Sequence, residues 1–195
     1  MKISKKSYDR DRILESWGMH PDRTVLVIDP GSESGWYVQC DCQFNILSEG
    51  PLPDHADMRS WIEGLDVGLA FVEDVGKVLP GDGLKAATTF CQHRGALEQE
   101  LLAVPTVWWI APQSWQKVFY NAFGDADVGT EDLFSPTFRN RQKSSRKDDV
   151  LKIVKKQLKD GSLGLRSADA YALYLSLERI LTSAKTNQIP FEVRL

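Results

Sequence analysis

The chain has 195 residues, 42% of them hydrophobic and 26% charged, with a net charge of −3. That suits one domain of ordinary size with a proper core, or one domain with extensions. The overall charge does not by itself announce a nucleic-acid binder, and no apolar run approaches the length of a membrane span.

Residues 1–23 read as an N-terminal extension. They open on MKISKKSYDRDR, which lacks the apolar stretch of a secretory signal, and carry a short helical pattern around Ile13, Leu14 and Trp17. Thr24–Asp29 (TVLVID) is a short apolar run ending in Asp29-Pro30-Gly31, the pattern of a buried strand entering a tight turn. Gly35–Asp41 and Phe44–Ser48 follow as strands joined by a tight turn, completing an antiparallel meander. Cys40 and Cys42 fall on this stretch without a second pair to complete a zinc site. With Cys91 they make an odd count without framework spacing, which points to a reducing compartment. The expected setting is soluble and intracellular, in a cytoplasm or an organelle matrix.

Pro51 and Pro53 end the meander, and Asp54 stands where it can cap a helix running to about Gly64. Gly68–Glu73 (GLAFVE) is the next core strand, again ending in carboxylates, Glu73 and Asp74. A Gly- and Pro-rich loop, Gly76 to Gly83, leads to a long helix from Leu84 to about Ala103, with Ala87, Phe90, Leu97 and Leu101 on its inner side. Thr106–Ile110 is a strand, and Pro112 starts a helix (PQSWQKVF). Residues 124–146 read as loop, turning basic. Asp148 to Lys159 is an amphipathic helix, with Val150, Ile153, Val154 and Leu158 on one face and Lys152, Lys155, Lys156 and Lys159 away from it. From Arg139 to Lys159, nine Lys and Arg stand against two Asp, a local charge of +7 against −10 for the rest. A local basic stripe of this kind can track phosphates on an acidic protein. Gly161 and Gly164 break the chain before a mostly apolar helix from Ser167 to about Leu181. The tail, 183–195, is polar. A meander followed by alternating helices and strands predicts an α/β fold, a mixed sheet with helices on both faces.

Three carboxylates occupy comparable places. Asp29 ends the first core strand, Glu73 ends a later one, and Asp169 lies in the first turn of the buried helix. Each adjoins an apolar run, so solvation explains none of them well. If they converge, they form an all-oxygen site suited to Mg²⁺ or Mn²⁺. Two such ions roughly 4 Å apart would serve phosphodiester hydrolysis. Plainer readings stand beside this one. Asp29 can simply hydrogen-bond the Pro-Gly turn, Asp169 can serve its helix as a first-turn acid, and Asp74 rather than Glu73 can be the functional residue. Glu73 is favoured because it directly ends the apolar run. The basic stripe over Lys152–Lys159 can be only a solvated helix face, whereas the loop from Arg139 to Lys147 repels itself without an anion. His20, His55 and His93 have no partners at ligand or triad spacing.

In this order the pieces resemble the RuvC-like Holliday junction resolvases of the ribonuclease H-like superfamily, most closely the phage- and chloroplast-type branch. The matching segments are Ile28-Asp29-Pro30-Gly31 with Ser34-Gly35, then Phe71-Val72-Glu73. Gln92-His93-Arg94-Gly95 is similar to the family's Q-x-R-G segment. Ala111 to Lys117 (APQSWQK) is similar to its P-x-x-W-K segment. Lys147-Asp148-Asp149-Val150 followed by Ala168-Asp169-Ala170 is like its closing helix pair. The resemblance covers roughly residues 24–182, which it marks as the nuclease domain, and it rests on order and spacing rather than on any single motif.

The resemblance implies a ribonuclease H-like fold and a Mg²⁺-dependent endonuclease (Mn²⁺ substituting) that acts as a homodimer on branched DNA and cuts symmetrically across a four-way junction. Asp29, Glu73 and Asp169 take the metal-ligand positions, and Lys147 joins them opposite the scissile phosphate. The loop from Lys77 to Gly83 takes the place of a junction-probing loop. Lys77, Lys85, Arg94, Arg139, Arg141, Lys143, Arg146 and Lys147 are the expected DNA contacts. Two departures stand out. Bacterial members carry a fourth carboxylate three residues before the position of Asp169, where this chain has Arg166. The chloroplast branch has an Asp two residues earlier still, where this chain has Gly164. The aromatic wedge of bacterial members is Gly76 here, with Val78 and Leu79 nearby. Arg166 motivates a competing reading, a branched-DNA-binding protein that does not cut. Ribonuclease H-type cutting of RNA–DNA hybrid shares the same metal site. An actin-like ATPase would need a second Asp-Gly phosphate loop and a longer chain.

Overall fold

A computed structural model describes residues 7–8, 15, 18–19, 22–31, 35–74, 94–124, 143–182 and 191–194. Its strands are β1 (Ser7–Tyr8), β2 (Thr24–Asp29), β3 (Trp36–Cys40), β4 (Ile46–Pro51), β5 (Val67–Glu73), β6 (Thr106–Ile110) and β7 (Phe191–Arg194). They form one mixed sheet in the order β1-β7-β6-β5-β2-β3-β4. β2, β3 and β4 are the antiparallel meander, while β5 runs parallel to β2 and β6 parallel to β5. The helices are α1 (His55–Gly64), α2 (Pro112–Phe123), α3 (Lys143–Leu158) and α4 (Ala168–Thr182), with a further helical segment at 94–100.

Two apolar layers sandwich the sheet, and strand alternation divides them. Val25 and Val27 of β2, Leu69 and Phe71 of β5, and Trp108 and Ile110 of β6 point to one face, where α2, α3 and α4 pack. Leu26, Ile28, Ala70, Val72 and Trp109 point to the other, against Met58 and Ile62 of α1 and Leu97 of the 94–100 segment. Both faces of β2 and β5 are therefore covered. This explains why these strands read as continuous apolar runs instead of alternating ones. Ala168, Ala170 and Ala172 are fully buried in α4, and their small side chains let that helix lie close on β2.

β2 and β6 have the expected bounds, and β3, β5, α1 and α4 lie within a residue of theirs. β4 begins two residues later than expected. The Asp41 side chain accepts hydrogen bonds from the Gln43 and Asn45 amides and from Asn45 Nδ2, and Phe44 takes a φ of 63° in the turn so formed. α2 continues to Phe123, and α3 begins at Lys143, inside the stretch read as loop. Lys and Arg are good helix formers, so a basic run without apolar residues extends a helix once its next turns are anchored by buried Val150 and Val154. The polar tail supplies β7, which pairs antiparallel to β6 and in turn to Ser7–Tyr8 of the N-terminal extension. Among the described residues no helix is long and apolar enough to cross a membrane.

Candidate active site

The parallel register brings the first two carboxylates together. Val27 pairs with Phe71 and Ile28 with Val72, so Asp29 and Glu73 follow one step further as neighbours on the same sheet face. Asp29 is 8% exposed. Gly31 takes a φ of 58°, which turns its N–H back to donate to Asp29 Oδ1 at 3.0 Å. Gly35 leaves the turn in contact with the same backbone. A Cβ there would lie 2.6 Å from the Asp29 carbonyl oxygen and 2.7 Å from that of Pro30.

Glu73 is held from α2, where Trp115 Nε1 donates to Glu73 Oε1 at 3.0 Å. Asp169 comes from the first turn of α4, just after Ser167, whose hydroxyl donates to the Gly164 carbonyl across the preceding turn. Lys147 Nζ of α3 lies 3.2 Å from Asp169 Oδ2. Glu73, Asp169 and Lys147 line a cleft of about 250 Å³, and Asp29 stands beside it without being part of its lining. Glu73 and Asp169 line it with Trp115, Gln116 and Tyr120 of α2 and with Arg146, Lys147 and Val150 of α3. The three α3 residues share one helix face by their spacing.

The electrostatics follow from crowding like charges in a partly dry place. Burial foremost, then the charges of Asp29 and Asp169, push the Glu73 carboxyl well above its ordinary range. Asp29 is also raised, first by burial and then by Asp169, against the opposing effects of the Gly31 N–H and a hydrogen bond from Glu73. Burial works to lower the pKa of Lys147, but the charge and hydrogen bond of Asp169, with Asp29 and Glu73 behind, outweigh it and hold the ammonium above its ordinary value. Among the described residues no three His, Cys, Asp or Glu side chains are grouped closely enough to hold a metal ion. The donor chemistry nonetheless fits one. Carboxylates crowded together in a partly buried place, with pKa values raised by burial and by one another, are oxygen ligands for which a hard divalent cation would supply the missing positive charge.

Of the other expected contacts, Arg146 and Lys147 line the cleft and Lys143 opens α3. Arg94 holds Asp74 at 2.7 Å and Glu98 at 2.9 Å. Lys77, Lys85, Arg139 and Arg141 lie outside the described residues, as does the loop from Lys77 to Gly83. Arg166 is exposed. Trp115 is buried, and its hydrogen bond to Glu73, like the places of Gln116 and Tyr120 in the cleft lining, has no counterpart in the sequence reading, although the P-x-x-W-K-like segment contains Trp115 and Gln116.

No protein-family model matches the chain, and no curated protein matches it. Among solved structures, Thermus thermophilus RuvC in complex with a Holliday junction substrate is similar, at 14% identity and a TM-score of 0.54, over 88% of this chain and 99% of that one. A second structure of T. thermophilus RuvC aligns over 86% of this chain and 99% of its own, also at 14% identity, with a TM-score of 0.46. At such identity the likeness is one of fold. With β2–β4 antiparallel, β5 and β6 parallel and helices on both faces, this chain has a RuvC-like, ribonuclease H-like fold.

Proposed function

We propose that the protein is a structure-selective endonuclease that resolves four-way DNA junctions by paired, symmetric phosphodiester cuts, on the pattern of the phage- and chloroplast-type resolvases. The observation that carries this reading is the cleft, where Glu73 and Asp169 face a wall bearing Arg146 and Lys147, with Asp29 at the neighbouring strand end beside Glu73. A carboxylate floor repels a phosphodiester unless a cation intervenes, and a basic wall attracts one. Together they suit metal-assisted hydrolysis better than simple binding.

Asp29, Glu73 and Asp169 would hold Mg²⁺ or Mn²⁺, which when bound supplies Lewis-acid activation of water and neutralises charge on the phosphate. The chain's own groups do the rest. The Gly31 N–H and the Trp115 indole fix the orientation of Asp29 and Glu73. Lys147, which lies 3.2 Å from Asp169 Oδ2 and lines the cleft with Arg146, would present its ammonium to the phosphate. Symmetric cuts require two such sites, hence two copies of the chain on one junction.

The test is a labelled synthetic four-way junction, with matched linear duplex and RNA–DNA hybrid, incubated with Mg²⁺ or Mn²⁺ and resolved on a sequencing gel. Paired nicks in the junction alone are expected. Asp29→Asn should abolish them and leave junction binding intact, and a variant that cuts like the parent would refute the site assignment. A second reading, junction binding without cleavage, draws on Arg166 at the usual fourth-carboxylate position and on the Lys147–Asp169 pair. Tight binding with no cutting in either metal would favour it.

A further inference from the structure

Directly behind Glu73, on the opposite sheet face, lies a second polar cluster. Strand alternation turns Asp74 to the side of Val72 and Trp109. Asp74 is 9% exposed, and its amide donates to the Ile110 carbonyl at 2.7 Å, extending the β5–β6 ladder one residue past Glu73. Arg94 Nη1 donates to Asp74 Oδ1 at 2.7 Å, and Arg94 Nε donates to Glu98 Oε1 at 2.9 Å. The guanidinium lies 5.2 Å from the centre of the Trp109 ring. Two guanidinium edges and one face are thus engaged inside the protein. Asp74 and Arg94 also bracket residues 75–93, so their ion pair joins both ends of that segment.

We infer that Arg94 is a positioning residue, which clamps Asp74 and so fixes the backbone that aims Glu73 into the cleft, and is not a DNA contact. Glu73 is then held by the β6 ladder beside it, by the Asp74–Arg94 clasp beneath it and by Trp115 above it. A planar fork that reaches Asp74 and Glu98 while stacking on Trp109 is a task for arginine, which lysine cannot perform. The role in cutting rests on the nuclease reading, whereas the role in placing Glu73 does not.

The experiment compares the parent with Arg94→Gln, Arg94→Lys, Asp74→Asn and the double variant Asp74→Asn/Arg94→Gln. Three quantities are measured: the indole N–H resonance of Trp115 without DNA (assigned with Trp115→Phe), the single-turnover cutting rate of bound junction, and junction affinity across a salt series. The Trp115 resonance should shift or broaden in every variant, because its acceptor Glu73 loses a fixed place. Cutting should slow by about 10²-fold, the scale of a small misplacement of a reacting group. Junction affinity and its salt slope should not change, and Arg94→Lys should be as slow as Arg94→Gln. The double variant leaves no buried charge unpaired and supplies the same readouts if a single variant fails to fold. A parental Trp115 resonance and cutting rate, with affinity lost, a salt slope smaller by about one and rescue by Arg94→Lys, would make Arg94 a DNA contact and overturn the inference. If the parent cuts no junction but the Trp115 resonance still moves in Arg94→Gln, the nuclease reading falls and the positioning role stands.

Discussion

At the residue scale, Glu73 concentrates the tension of the site. Burial, then the neighbouring charges of Asp29 and Asp169, raise its pKa well above the ordinary carboxylate value. A raised folded-state pKa means that the folded chain holds this proton more tightly than the unfolded chain, whose value is near 4.5. Its contribution to stability is therefore complete below that pH and is lost as pH rises through the folded value. Glu73→Gln keeps the shape, the acceptor for Trp115 and a donor for Asp29, and cannot ionise. In chelator at pH 8 this variant should melt higher than the parent, by roughly 2–4 °C for each kcal/mol relieved. The gap should narrow towards pH 4.5. Added Mg²⁺ should raise the parent and leave the variant behind, whereas equal melting of the two at every pH would refute the crowding of charge. A different burial effect governs Cys40, whose thiol is pushed up to about 12 by its apolar surroundings, with Asp41 and Glu178 adding to it. Cys42, two residues on, is only half-buried. Alkylation of the folded protein at pH 8, mapped by mass spectrometry, should mark Cys42 well before Cys40.

At the element scale, α3 and α4 make the site out of two strand ends. α4 presents Asp169 because three small residues seat its first turns on β2. It is tied at mid-length by Ser176, whose hydroxyl donates to the Ala172 carbonyl and lies 3.2 Å from that of Trp115. Tyr174 donates to the Phe44 carbonyl in the β3–β4 turn, which pins α4 to the meander. Just past the end of α3, Lys159 takes a φ of 54°, in the left-handed region that a Cβ disfavours. Lys159→Gly should therefore stabilise the protein by about 1 kcal/mol, read as a shift of the urea midpoint at constant slope. A loss of stability would mean that the lysine side chain itself secures the end of the helix.

At the scale of the whole molecule, net charge and local charge point in opposite directions. The chain carries −3 overall, while residues 139–159 carry +7, and the described part of that stretch puts Arg146 and Lys147 at the cleft. Junction affinity should therefore fall steeply with salt, with a log–log slope of about −0.9 for each phosphate contacted. A flat dependence would remove the basic stripe from the function. The sheet organises the molecule around the carboxyl ends of β2 and β5, and the face there covered by α2, α3 and α4 holds the acids.

Much of this was legible in the residues. The apolar runs of β2 and β6 gave their bounds, because a strand buried on both sides tolerates no polar residue until it ends. For the same reason the acids that close such runs, Asp29 and Glu73, stood out. Turn residues marked α1 and α4, and Asp54 stands at the N-terminal boundary of α1 as expected, although its side chain makes no capping hydrogen bond. Other features needed the fold. Alternation puts Glu73 and Asp74 on opposite sides of the sheet, but no local pattern told which side holds the cleft and which holds Arg94, because that depends on which face each helix covers. Trp115 lies in a local helical pattern that says nothing of its polar tip, while its single N–H finds Glu73 across 42 residues of sequence. The first turn of α3 and the pairing of β7 with β6 also escaped a local reading, since both are stabilised by packing and pairing with distant segments. The sequence by itself determined which residues are acidic, apolar or turn-forming, hence the elements and the chemistry on offer. Only the tertiary structure decided which of those groups meet, since register, helix placement and burial are properties of contacts between segments far apart in the chain.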